Sequence, residues 1–88
     1  MTETTTNVKP EMRSFLEENF LYMHPGVELS DDDDFLGLGI IDSLGFVELV
    51  EEVQSRYGVQ IEDVEITEEN FGSLNAIEGY VERKREKA

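Results

Sequence analysis

The stretch GIIDSLGFVELVEEV, residues 39–53, places one hydroxyl nucleophile, Ser43, between an apolar, glycine-containing loop and an amphipathic pattern. Three chemistries compete for this serine and the residues before it. A hydrolytic serine wants a G-x-S-x-G elbow with a histidine base nearby, yet residues 41–45 read IDSLG and the only histidine, His24, sits before Pro25 at the end of another helical pattern. Neither elbow nor triad partner is visible, so hydrolysis at Ser43 is not expected. The acid run SDDDD raises calcium, which in a helix-loop-helix site needs oxygen ligands at alternate positions, a central glycine and a carboxylate at position twelve. Counted from Asp31, the third ligand slot is Phe35, the glycine slot is Leu36, and only Asp42 fits. No metal site is assigned, and the run reads as a solvated acidic loop. The third possibility is a helix start, the commonest reason for a serine in such a place. Asp42 already suits that task. With Asp42 as N-cap, Ser43 takes the first helical position, its hydroxyl beside free backbone N–H groups and the positive end of the helix dipole, conditions that favour a phosphate ester. On the residues alone, the cap and the ester site both stay open.

The elements that must position Ser43 are short, because 88 residues make one small domain that buries only about 60 to 65% of its unfolded-chain surface. Twenty-one acidic residues against seven basic ones give a net charge of −14. That charge argues against nucleic acid and anionic membranes and for basic protein partners. With no cysteine, neither a disulfide framework nor a thiolate zinc site is possible, and any thiol chemistry has to arrive on a cofactor. No apolar run approaches a membrane span, and MTETTTNVK lacks the apolar centre of a signal peptide. The cytoplasm is the default location, and a monomer the expected state.

Residues 1–7 read as a disordered N-terminus, and 8–86 as the folded domain. A first helix is expected with Asn7 as N-cap, Pro10 tolerated in its first turn, and Met12, Phe15, Leu16 and Phe20 facing inward. Pro25 and Gly26 stop it. From His24 to Asp42 a long connection is expected, pinned by Phe35, Leu36, Leu38 and Ile40. The second helix, Ser43 to Tyr57, can be placed on a wheel at about 100° per residue. Phe46, Leu49, Val50, Val53 and Tyr57 form its core face. Glu48, Glu51, Glu52 and Ser55 lie opposite, with Leu44 among them and Val47 at their edge. The solvent face therefore carries apolar residues that the fold does not need. Gly58 suits a left-handed cap. A connection VQIEDVEI and a short polar turn TEEN follow, and then Ser73 caps a last helix carrying Leu74, Ile77, Tyr80 and Val81, with Arg83, Lys84, Arg85 and Lys87 near its negative end. The expected fold is all-α, a bundle of three longer helices and one short third helix.

LGLGIIDSLGFVELVEEVQSRYGVQI, residues 36–61, resembles the phosphopantetheine attachment region of acyl carrier proteins, in which a D-S-L triplet opens the second helix of a four-helix bundle. The chain from Val8 to Arg85 matches that plan in length, loop placement and acidic balance. The resemblance implies that Ser43, flanked by Asp42 and Leu44, carries 4′-phosphopantetheine in a phosphodiester, added by a phosphopantetheinyl transferase from coenzyme A. The arm's thiol then replaces the missing cysteine and holds an acyl group as a thioester. It also implies a loading ligase and downstream acyltransferases or synthases that recognise Leu44, Val47, Glu48 and Glu51, the acids steering toward basic residues on each enzyme. Gly45 where fatty-acid members usually have an acid, Ile40 and Ile41 before Asp42, and Gln54, Ser55 and Arg56 late in the helix depart from that branch. The local pattern is more similar to D-alanyl carriers and other free-standing carriers for aminoacyl or polyketide loading. Rings at Phe46, Tyr57, Phe71 and Tyr80 favour a short acid, an amino acid, over a long chain that would need room in the core. The competing reading is an unmodified acidic helical protein-interaction module.

Overall fold

A helix begins at Val8 because Val8, Met12 and Leu16 recur at i, i+4 and i+8 and can all face one core. The computed structural model describes residues 7–87; the expectation for residues 1–6 and for the Lys87 side chain falls outside what it describes. Helix α1 spans Val8–Asn19, with Pro10 in the first turn, where its missing N–H has no intrahelical acceptor to lose. Asn7 stands at the N-cap position but its side chain makes no capping bond, so the expected cap is not used. Phe20 is buried just past the helix end, and a single 3-10 turn, Leu21–Met23, continues the chain before Pro25.

The expected long connection contains a fifth helical segment, α2, Phe35–Leu38. The Asp34 side chain starts it by accepting from the Leu36 N–H, and Gly39 ends it at φ 76°, a left-handed value that disfavours any side chain. Phe35 and Ile40 are buried and Leu36 is half-buried, but Leu38 is exposed and pins nothing. Buried Leu29 and Ile41 join the anchors instead. Polar bonds complete the fixing. Arg13 donates to the Leu29 carbonyl and to Asp31 Oδ1, each at 2.6 Å, and Lys9 lies 3.4 Å from Asp31. Backbone bonds run from Phe35 N–H to the Gly72 carbonyl and from Asn75 N–H to the Asp31 carbonyl. The connection thereby ties α1 to the C-terminal part of the chain.

Helix α3 is Ser43–Tyr57, closed by Gly58 at φ 65°. Its core face consists of Phe46, Leu49, Val50, Val53 and Tyr57, with Gly45 buried beside them. Helix α4, Glu68–Phe71, is started by Thr67 Oγ1, which accepts from Asn70 N–H, and buries Phe71 completely. Helix α5, Leu74–Lys87, begins at Ser73, whose Oγ accepts from Ala76 N–H at 3.1 Å, and buries Leu74, Ile77, Tyr80 and Val81. The basic end of α5 does more than answer a dipole: Lys84 pairs with Glu65 at 3.1 Å, Arg83 donates to Asn70 Oδ1, and the Arg85 guanidinium lies over the Tyr57 ring. The described chain is all-helical, with a second 3-10 turn at Asp63–Glu65. No described helix is long and apolar enough to cross a membrane.

Candidate functional site

Asp42 sets the site. Its backbone is extended (φ −98°, ψ −174°), its Oδ1 accepts from Gly45 N–H at 2.8 Å, and its carbonyl accepts from Phe46 N–H at 2.8 Å. This is an N-cap made by the aspartate alone. Ser43 is consequently the first helical residue, exposed, and its hydroxyl has no hydrogen-bond partner among the described residues. The backbone N–H groups of Ser43 and Leu44 likewise keep no intramolecular acceptor, as the first donors of a helix do not. Among the described residues no hydrogen bond joins His24 to Ser43.

Along α3 from Ser43, Leu44, Val47, Glu48 and Glu51 share one exposed face at spacings of three and four residues. Leu44 is 69% exposed and Val47 47%, values that make them surface groups with nothing of their own fold to cover. Glu48 and Glu51 make no ion pair or hydrogen bond among the described residues. Glu52, by contrast, is held by Arg56 at 2.6 Å. The uncommitted negative charge therefore lies on the part of the helix nearest Ser43.

Gly45 does not belong to that face. It is buried, and a Cβ there would stand 2.9 Å from Cε1 of Phe20 and 3.3 Å from Cγ2 of Ile41. Its smallness lets the first turn of α3 approach the end of α1. The helical wheel carried back one turn from Leu49 places Gly45 on the core side.

A cleft of about 350 Å³ opens between this first turn and the end of α1. Its apolar wall comes from Phe20, Met23, Ile40 and Leu44, and its polar groups include Asp42, Glu48, Asn19 and His24. Linear reading missed the cleft since its two sides lie some twenty positions apart in sequence; the exposed Met23 and Leu44 were the available signal.

A hydroxyl left free at a helix N-terminus, with a cap that does not need it, is the arrangement a phosphodiester fits. The family model described as "Phosphopantetheine attachment site" matches residues 18–81, which take in the whole of this site. An all-helical, acidic, non-catalytic carrier is the class defined by fold and match together. The chain belongs to the phosphopantetheine-binding carrier protein family, whose members carry acyl groups as thioesters on covalently attached 4′-phosphopantetheine and act with partner enzymes. Among curated relatives, the D-alanyl carrier protein of Streptococcus suis (strain 05ZYH33) is 35% identical over 71 residues, covering 81% of this chain and 86% of its own. That of Streptococcus thermophilus (strain ATCC BAA-491 / LMD-9) is 32% identical over 79 residues, covering 86% and 94%. The D-alanyl carrier protein of Streptococcus sanguinis (strain SK36) is 30% identical over the same length and coverage.

Proposed function

We propose that Ser43 is the residue to which 4′-phosphopantetheine is attached, and that the chain carries an amino acid, D-alanine by likeness to its relatives, from a loading ligase to an acceptor enzyme. The observation that carries this reading is the exposed, unbonded Ser43 hydroxyl beside an aspartate cap. A phosphodiester there needs no base from this chain, because a phosphopantetheinyl transferase supplies it. The bound group contributes a thiol that the chain, having no cysteine, lacks. Asp42 holds the first turn of α3 so that the ester oxygen stays at its edge, and Leu44 follows as the first apolar contact offered to an enzyme. Val47, Glu48 and Glu51 extend that contact, the acids drawing in a basic partner surface and the apolar pair filling shallow hollows.

The size of the core supports a short cargo. Phe71 and Tyr80 pack in a tilted arrangement, ring centroids 4.6 Å apart and planes at 52°, and both are essentially buried, while Phe46 and Tyr57 fill the inner face of α3. A long chain would have to displace rings in a close-packed interior. The test is a thiol count. Incubated with coenzyme A and a broad-specificity transferase, then freed of small thiols, the protein should gain one titratable thiol per chain from none. A count that stays at zero would turn the reading toward an unmodified acidic interaction module.

A further inference from the structure

We propose that the cleft beside Ser43 is a docking site for the amino end of an aminoacyl thioester carried on this chain's own arm, with Glu48 as the carboxylate that holds its ammonium. The inference rests on the attachment reading above and names the side on which the cargo is sheltered. Both neighbours of Ser43, Asp42 and Leu44, line the cleft, so it is continuous with the attachment point. Its volume, about 350 Å³, lies at the small end of the usual range for small-molecule sites, about 300 to 1,000 Å³. That suits a short acyl group better than a long one.

Charge complementarity selects the ammonium. No lysine or arginine lines the cleft, and its two carboxyl side chains are Asp42 and Glu48. Asp42 Oδ1 is occupied by Gly45 N–H. The Asn19 amide donates to the Phe15 carbonyl at 2.8 Å, which leaves its side-chain oxygen as an acceptor. Glu48 has no partner among the described residues, whereas Asp42 has one oxygen engaged in the cap, so Glu48 is the cleft carboxylate with both oxygens unengaged. A cationic head against Glu48 with a small apolar body against Phe20, Met23 and Leu44 satisfies both kinds of wall. A consequence follows for delivery. Leu44 and Glu48 also stand on the face offered to partner enzymes, so a partner that takes these two residues empties the cleft and frees the cargo.

The experiment charges Ser43 with hydrolysis-resistant pantetheine analogues bearing either an alanyl or a propionyl group, which differ by the ammonium alone. Intact mass first establishes that each arm is attached; no added mass would overturn the attachment reading itself and this inference with it. With arms in place, backbone amide chemical shifts are compared with those of the form bearing an unacylated arm. The alanyl arm should shift the amides of Met23, His24 and Ile40, the propionyl arm should leave them nearly unmoved, and Glu48→Gln should abolish the alanyl shifts. Glu48 is exposed, so that variant keeps its fold. Equal shifts from the two arms, alanyl shifts that survive Glu48→Gln, or shifts falling instead on Phe71 and Ile77 would each overturn the proposal. Cleft amides that ignore both arms would also overturn it and assign the cleft to a side chain of a partner enzyme.

Discussion

Gly45 shows how much one position can hide in a linear reading. Replacing a glycine within a helix by alanine ordinarily stabilises by about 1 kcal/mol through helix propensity. At Gly45 the added methyl would meet Phe20 at 2.9 Å in a packed interior, and overpacking of that kind costs about 1 to 3 kcal/mol. The sign should reverse: Gly45→Ala is expected to lower stability by on the order of 1 kcal/mol in urea titrations, and trimming the ring with Phe20→Leu should recover part of the loss. A stabilised Gly45→Ala variant would mean that Phe20 gives way freely and that the first turn of α3 is not held by this contact. That Asp42 and not Ser43 would cap α3 was, by comparison, legible from the neighbouring residues, whereas the attachment role of Ser43 came only from the family resemblance.

Among the elements, α3 was the most readable, since fifteen residues give its wheel enough turns to separate Val53, wholly buried, from Leu44, largely exposed. Helix α2 was not readable. Four residues containing a glycine carry no period, and it forms only because Asp34 caps it and Phe35 is pulled under the Gly72 carbonyl. The packing of the second connection was equally hidden. There Glu65 accepts from its own turn at Glu62 N–H, from Tyr80 Oη at 2.9 Å and from Lys84 at 3.1 Å. The backbone bond first, then Tyr80 and Lys84, hold its carboxyl down from the ordinary 4.5 to about 2. The same contact, after burial, pushes the Tyr80 phenol well above its usual range. A depressed carboxyl binds its proton more weakly in the folded state, so its contribution is complete above the unfolded value of 4.5 and is lost as pH falls through about 2. Between neutral pH and pH 3, approximately, the urea midpoint of the wild type should therefore fall further than that of Glu65→Gln. Parallel curves would show that this knot contributes nothing specific to acid sensitivity.

For the molecule as a whole, the net charge of −14 sets self-repulsion against five described ion pairs. The acid run is less free than its composition suggests. Asp31 binds Arg13 and Lys9, Asp32 binds Asn75, Asp33 accepts from Ser30 N–H, and Asp34 caps α2. The Arg13 bond, foremost, keeps the Asp31 carboxyl below the usual range. Exposed pairs are individually weak and screened by salt, whereas the uncompensated excess remains. Added sodium chloride should therefore raise the melting temperature at neutral pH, and magnesium and calcium should act alike, because no group of three or more described carboxyl or histidine side chains is placed to hold a metal. A melting temperature that falls with salt would put the local pairs ahead of the global repulsion. Charge and composition announced an acidic chain with basic partners early; which acids are spent internally depends on contacts between residues far apart in the chain, which no window of sequence displays.

The attachment of the arm at Ser43 is tested most directly by intact mass. Wild type and Ser43→Ala, both shown by circular dichroism to be helical, are incubated with coenzyme A and a broad-specificity transferase. The account predicts a single phosphopantetheine increment on the wild type and none on Ser43→Ala, whose fold is kept by the Asp42 cap. An increment on the alanine variant, or none on the wild type, would contradict it.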